Sequence, residues 1–583
     1  MKKGFLLFVI LTSLFVRIAV SQEKATDENE DAAVRLREQA AELLRETSQM
    51  TPMLSSTENR IGFSVRTAGV LWDLDEQGAR RLFQVSMDEV RQYVARTDAE
   101  MNRIETAPEG DWGTVASSAE VRGSANKMFS LISNLINALD DHQPEWALQF
   151  LQELDQMMTS QELSRRGERY FKNLETRLLK KIAEKDVTKS LELGRQKLSE
   201  GLSSDVISLL QTIHSKDPEK GAEFGREVVD KLKSGGSGSA WLTVRLFQMG
   251  ALDFEKSAQK GTPQRSIFNE RALGDIADVL VRQIAGSTSP RSTRISSGTM
   301  KYLEKYAPNQ AAQIKNDIAR RSNEAARRGS VTAPSAPVAT ASPVASKQSD
   351  FNEAVKRLSA ARADYQKDLR ETVQGLWAEG VTPEEKRKII QTAKEKILAV
   401  NNPDFRFSQL IWLAGVAKQV GEKEAAQMVL GDAENMINQQ PRERGDFDKN
   451  RNLANAYAGL TPDKSFSLLE NMISPLNDVI ESYIRFSEFS GNRRIIEDGE
   501  LIVSSYGRQF TRYFSFSSQT YKSLAEADFD RLKSLGDRFS RPELRIETRL
   551  QIAGSLLAAS KQTLNPNLGS GQGDGGVRTI AYD

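Results

Sequence analysis

Apolar residues recur along this chain at helical intervals, in faces that meet across turns only a few residues long, and that pairing restricts the fold more than any other feature. From Ile61, the residues Val65, Ala68, Leu71 and Trp72 fall at i, i+4, i+7, i+10 and i+11, one face of a helix. After the turn Asp73 to Asp75 a second face follows as Ala79, Leu82, Phe83, Met87 and Val90. Two amphipathic helices joined by so short a turn lie antiparallel, as a helical hairpin.

The same hairpin returns at an offset of 346 residues. Ala68, Gly69 and Val70 fall on Ala414, Gly415 and Val416, Leu74 on Val420, Glu76 on Glu422, Ala79 on Ala425, Leu82 on Met428 and Phe83 on Val429. Small residues kept at both positions let paired helices approach closely across the turn, which points to an internal repeat. Further helix starts are expected at Gln143-Pro144, Asp217-Pro218, Ala307-Pro308 and Thr461-Pro462. Proline at the first helical position loses no hydrogen bond, and Asp or Thr before it can cap free amides. Some neighbouring starts lie one hairpin apart: Asp186 to Asp217 is 31 residues and Gly421 to Thr461 is 40. Those intervals bracket the tetratricopeptide period of about 34 residues and the roughly 40 to 47 of HEAT-like units.

The pattern resembles a divergent tetratricopeptide-like helical repeat, although no unit carries the Trp-Leu-Gly-Tyr positions of that consensus. The Trp72 to Phe83 segment (WDLDEQGARRLF) is similar to one in uncharacterised exported proteins of acidobacterial type. The expected fold is all-α: stacked antiparallel hairpins of a TPR/HEAT-like α-solenoid, in two parts joined by a disordered linker. A hairpin with one apolar face too many must stack on neighbours, and stacking builds an extended concave surface.

The division into parts comes from composition. Ser330 to Ser349 (SVTAPSAPVATASPVASKQS) is Ser, Thr, Ala, Pro and Val almost throughout, too poor in large apolar groups to offset the entropy of ordering it. It is read as a linker between a helical domain at 22–329 and a second at 350–564, with a glycine-rich tail at 565–583. At the other end, Lys2 and Lys3 precede an apolar run from Phe5 to Val16, and Ala19 and Ser21 stand three and one residues before a cut at Gln22. These are the marks of a cleaved export signal over 1–21, since Arg17 ends the run short of the roughly 18 residues a membrane span needs. The chain has no Cys, so an exported product relies on apolar packing without disulfides. Across 583 residues, 80 Lys and Arg face 79 Asp and Glu, and losing Lys2, Lys3 and Arg17 leaves 77. So balanced a charge argues for neither nucleic acid nor a membrane surface as partner.

Candidate chemistry is sparse. His142 and His214 are the only histidines, which with no Cys excludes thiol nucleophiles, Cys-rich zinc sites and paired-histidine metalloprotease helices. No G-x-S-x-G elbow and no phosphate-cradling loop occurs, and no cofactor or metal is expected. His142 is read as part of an interhelical turn and His214 as the end of the helix whose apolar face holds Ile207, Leu210 and Ile213. Asp73, Asp75 and Glu76 form a carboxylate cluster near Trp72 that a glycosidase could use, but acidic residues in a first helical turn are also expected as caps. Between Gln264 and Arg328, 12 Lys or Arg stand against 6 Asp or Glu, with Arg291, Arg294, Arg320, Arg321, Arg327 and Arg328 crowded together. A second patch carries Tyr506, Phe510, Tyr513, Phe514, Phe516 and Tyr521 with Arg508 and Arg512 between them. Tyr506, Phe510 and Tyr513 fit a buried helix stripe, while Phe514 and Phe516 extend beyond it.

The reading that follows is an exported, non-catalytic scaffold that binds a protein or peptide, with Arg320, Arg321, Tyr513 and Phe516 as candidate partner-binding residues. No nucleic-acid partner and no stable membrane insertion are expected after cleavage. The alternative is an α-helical toroid hydrolase acting on polysaccharide through a carboxylate pair, and a third reading is a self-associating envelope component.

Overall fold

A computed structural model describes residues 29–107, 112–234, 240–261, 265–286, 296–328, 364–490, 495–503 and 508–564; for 112–118, 285–286, 317–318, 321–328 and 508 it describes the backbone alone. The expected export signal with its cut between Ser21 and Gln22, the expected linker at 330–349 and the expected tail from 565 lie outside these residues.

The fold is all-α, built of stacked helical hairpins. In chain order the helices are α1 (29–50), α2 (Thr57–Leu71), α3 (Glu76–Glu105), α4 (Trp112–His142), α5 (Pro144–Met157), α6 (Gln161–Lys185) and α7 (Val187–Glu200). There follow α8 (Ser204–Lys216), α9 (Pro218–Lys233), α10 (Ala240–Gln259), α11 (Glu270–Gly286), α12 (Ser297–Tyr306), α13 (Pro308–Arg328), α14 (364–374) and α15 (Pro383–Leu398). The remainder are α16 (Pro403–Gln419), α17 (Lys423–Glu434), α18 (Arg444–Tyr457), α19 (Pro462–Phe489), the single turn α20 (Arg508–Thr511), α21 (Ser518–Asp537) and α22 (Pro542–Leu564). Among the described residues the one departure from helix and turn is an antiparallel ribbon of β1 (Ile496–Glu497) and β2 (Glu500–Leu501).

The helices begin where local chemistry dictates. Proline opens α5, α9, α13 and α19 at Pro144, Pro218, Pro308 and Pro462, as the sequence predicts, and also opens α15, α16 and α22. Asp186 caps α7 by accepting from the amides of Thr188 and Lys189, and Asp217 caps α9 in the same way through Glu219 and Lys220. At α15 the cap is reciprocal: the Thr382 hydroxyl accepts from the Glu385 amide, and the Glu385 carboxylate accepts from the Thr382 amide at 2.9 Å.

The two repeat copies are α2 with the start of α3, and α16 with α17. Ala68, Ala79 and Phe83 are buried in one, and Ala414, Ala425 and Val429 in the other. The short turns differ. Asp75 caps α3 by accepting from the Gly78 amide, whereas Gly421 takes φ +88° and lets the Glu422 amide reach back to the Ala417 carbonyl at 2.9 Å. Leu82 is half-buried where Met428 is exposed, so the copies share their seam and not their outer face.

Packing divides the described chain into two compact units, one continuous in sequence and the other assembled from two separate stretches. One gathers residues within Val90–Thr340; the other joins those within Met1–Glu89 to those within Ala341–Asp583. In the first unit α5 packs on α6, α8 on α9, α10 on α11 and α12 on α13, and α6 also meets α8 as α7 meets α9. Each helix therefore covers its sequence neighbour and the next hairpin. In the second unit α16 packs on α17, α18 on α19 and α21 on α22, while α2, from the beginning of the chain, packs on α22 at its end.

Close helix approach makes certain glycines obligatory. A Cβ on Gly250 would lie 2.2 Å from a ring carbon of Phe268, a fully buried side chain, whereas a Cβ on Gly415 meets nothing within 4 Å. Gly250→Ala is expected to cost about 1–3 kcal/mol by overpacking. Gly415→Ala should stabilise by roughly 0.5–1 kcal/mol through the helix interior. Urea unfolding of both variants checks this; equal effects of one sign would contradict the packing described.

Candidate functional site

The residues singled out from the sequence as partner-binding do not share a surface role. Arg320 is exposed on α13, and the Arg321 side chain lies outside the described residues. Tyr513 is only 6% exposed: its ring packs 5.2 Å from that of Phe447, with the Arg512 guanidinium 4.8 Å over its face. Phe514 sits against Phe539, Phe510 against Tyr483, and half-buried Phe516 against Tyr521. Tyr521, fully buried, donates its hydroxyl proton to the Phe514 carbonyl. The aromatic patch is thus mostly core. It is not a continuous helical stripe either, because α20 stops at Thr511 and a 3-10 turn carries Arg512 to Phe514. Arg508, Tyr506, Arg291 and Arg294 fall where no side chain is described.

The carboxylates near Trp72 go to separate partners. Asp75 caps α3, Glu76 pairs with Arg80 at 2.7 Å, and Asp73 meets Lys561 at 3.3 Å. Nothing brings two of them onto one reacting atom. His142 closes α4, where Lys185 donates to its carbonyl, and His214 ends α8 with Nε2 3.4 Å from Asp253 on α10. Burial would raise the Asp253 carboxyl, but the hydrogen bond from His214 and the Ile267 amide at 2.8 Å leave it below the ordinary carboxylate range. This pair pins one hairpin to the next. Among the described residues no group of three or more His, Asp or Glu is placed to hold a metal, and no helix is long and apolar enough to cross a membrane.

A buried polar cluster lies at the β ribbon, among residues that the helical pattern does not single out. Asp498, at φ +50°, and Gly499, at φ +79°, form the tight turn between β1 and β2, setting Ile496 opposite Leu501 and Glu497 opposite Glu500. Glu500 accepts from the amides of Ser55 (2.6 Å) and Ser56 (3.1 Å) and from Asn59 Nδ2, while Glu497 accepts from the Ser56 hydroxyl at 2.6 Å. Asn59 closes the contact by donating to the Leu501 carbonyl and accepting from the Val503 amide. Two carboxylates of the ribbon therefore cap α2, a helix more than 400 residues earlier, where negative charge suits the free amides and the helix dipole. Beside them Glu543 on α22 is fully buried. Its Oε1 accepts from the Leu501 amide at 3.0 Å and faces Arg541 at 3.2 Å, while its Oε2 has no hydrogen-bond partner. Burial pushes the Glu543 carboxyl above the usual range, and the nearby Glu500 charge adds to that.

Two surfaces carry exposed large apolar groups. On α19, Val479, Phe486 and Phe489 occupy i, i+7 and i+10, flanking the face that buries Leu476, Ile480 and Ile484; Phe486 is 68% exposed and Phe489 90%. Elsewhere a cavity of about 470 Å³ opens between α14, the 3-10 turn Gly375–Trp377 and Trp412 of α16.

No family model matches the chain, and no curated protein matches it. A solved structure described as a circular tandem repeat protein with novel repeat topology and enhanced subunit contact surfaces aligns over 91% of this chain and 97% of that one, at 14% identity and a TM-score of 0.15. That likeness is too low to carry any inference.

A buried carboxyl with a raised pKa favours its neutral form in the fold. The stability it supplies is complete below the ordinary glutamate range and is lost as pH rises through the raised value. Glu543→Gln, neutral at every pH, should therefore gain in melting temperature relative to the parent between about pH 4 and pH 8. A difference that is the same at both pH values would show that Glu543 does not titrate in this setting.

Proposed function

We propose that this protein is an exported, non-catalytic helical-repeat scaffold, divergent from tetratricopeptide-like units, that holds a protein or peptide partner. The observation that carries the reading is the Val479, Phe486 and Phe489 stripe of α19. Two Phe rings left in water forgo roughly 1.5–3 kcal/mol each of burial, and exposed apolar groups gathered on one helix face support an interaction surface. A partner presenting apolar side chains along a helix or extended segment fits it.

Export rests on Lys2, Lys3, the apolar run and the small residues Ala19 and Ser21. The likeness of the Trp72 to Phe83 segment to exported acidobacterial-type proteins supports the same address. A hydrolase would need two carboxylates converging in one cavity, and the acidic residues near Trp72 are each engaged elsewhere as caps and ion pairs.

The double variant Phe486→Ser with Phe489→Ser tests the proposal. Affinity capture from an envelope extract by the chain starting at Gln22, followed by quantitative mass spectrometry, should yield a protein retained by the parent and lost by the variant. Truncating two anchor residues is expected to weaken binding by about a hundredfold or more, and melting should be unchanged. The same captured set for both chains, or turnover of a polysaccharide panel, would overturn the reading.

A further inference from the structure

The groove at α14 has a chemistry of its own. Trp377, in the turn after α14, is 57% exposed, and Trp412 of α16 lines the same cavity. Gln366, Arg370 and Gln374 also line it, at i, i+4 and i+8 of α14, so their side chains form a row with rungs about 6 Å apart. None of these three polar side chains is hydrogen-bonded to another described residue, nor is either indole N–H. Lys367 and Glu371, on the same helix, lie 4.0 Å apart and offset each other.

We propose that this groove binds a neutral oligosaccharide, its sugar rings stacked on Trp377 and Trp412 and its hydroxyls paired with Gln366, Arg370 and Gln374. The inference goes beyond the α19 surface and does not depend on it. A pyranose has an apolar face of C–H groups and an edge of hydroxyls, and the groove offers an indole wall beside a polar row. The amides separate a sugar from a proline-rich peptide. Each Gln carries both donors and an acceptor, as a hydroxyl does. A proline-rich backbone presents acceptors alone and would leave the Gln Oε1 atoms desolvated without a donor. Arg370, beside the Lys367 and Glu371 pair, adds N–H donors that can reach sugar hydroxyls. The volume suits a short saccharide, within the range of about 300–1,000 Å³ of small-molecule sites. Among the described residues Glu371 is the one carboxylate in the lining and is paired with Lys367 at the surface, which supports binding without cleavage.

The test is calorimetric titration of the full chain with three hexasaccharides: β-1,4-linked glucose, β-1,4-linked N-acetylglucosamine and α-1,4-linked glucose. Indole fluorescence and chromatography of the sugar are followed in parallel. At least one should bind saturably, shift the indole emission and be recovered intact. Trp377→Ala and Trp412→Ala should each weaken it about tenfold or more, Gln366→Ala with Gln374→Ala should weaken it too, and Trp377→Phe should keep most of the affinity. Because Trp377 is exposed, its truncation should leave the melting temperature unchanged. Saturation by none of the three, affinity undiminished in Trp377→Ala, or saturation of the same groove by a synthetic proline-rich decapeptide would overturn the proposal, the last assigning the site to peptides.

Discussion

Each helical hairpin in this protein has more apolar surface than its two helices can hide from one another, and the rest of the architecture follows from that surplus. In the unit within Val90–Thr340 each pair covers the next, with α6 meeting α8 and α7 meeting α9. In the other unit the chain's beginning supplies the cover for its end. α2 packs on α22, Lys533 of α21 reaches Glu42 and Glu46 of α1 at 2.8 Å each, and Arg549 bonds Glu46 at 2.6 Å. Burial works against the Glu46 charge, but Lys533 and Arg549 outweigh it and hold its carboxyl below the usual range. Ion pairs that are only partly buried stabilise modestly by themselves. Here they fix the register of helices that apolar contacts bring together.

The buried carboxylates show how chemistry-bearing residues can be absorbed by a fold. Glu497 and Glu500 do for α2 what Asp186 and Asp217 do for α7 and α9, except that the acceptors come from a distant ribbon. Glu500 and Glu543 lie close together with the Glu543 carboxyl pushed up, an arrangement that inside a cavity would suggest an acid and a base. Glu543 is wholly buried and Glu500 nearly so, each accepting from backbone amides, Glu543 through Oε1 alone, and the pair acts as a clasp.

Much of the helical pattern was legible in the residues. Pro144, Pro218, Pro308 and Pro462 open helices because an N-terminal position costs proline nothing, and the equivalence of Ala68 with Ala414 and Ala79 with Ala425 is realised as shared burial at the hairpin seam. The ribbon was missed although its signal stood in the sequence: Asp498-Gly499 between Ile495-Ile496 and Leu501-Ile502-Val503 is a strong short hairpin motif. Two-residue strands are too short to show a period of two against the helical pattern around them. Tyr513 failed as a surface residue for a related reason, since alternation of aromatics with Arg512 reads equally as a ligand groove or as rings capped by a guanidinium. The pairing of α1 and α2 with α21 and α22 was beyond reach, because nothing local in Glu42 or Lys533 encodes a partner nearly 500 residues away. Trp377 and Trp412 stood out in neither pattern, being brought to one cavity only when α14 and α16 pack.

The central claim, that the first helices of the chain complete the unit formed by its last, is open to zero-length carbodiimide cross-linking of the intact protein with peptide mapping. The account predicts amide links from Lys533 to Glu42 or Glu46 and from Lys561 to Asp73, with the local link from Lys396 to Asp368 as an internal standard. Recovery of the local link without either long-range link would contradict it.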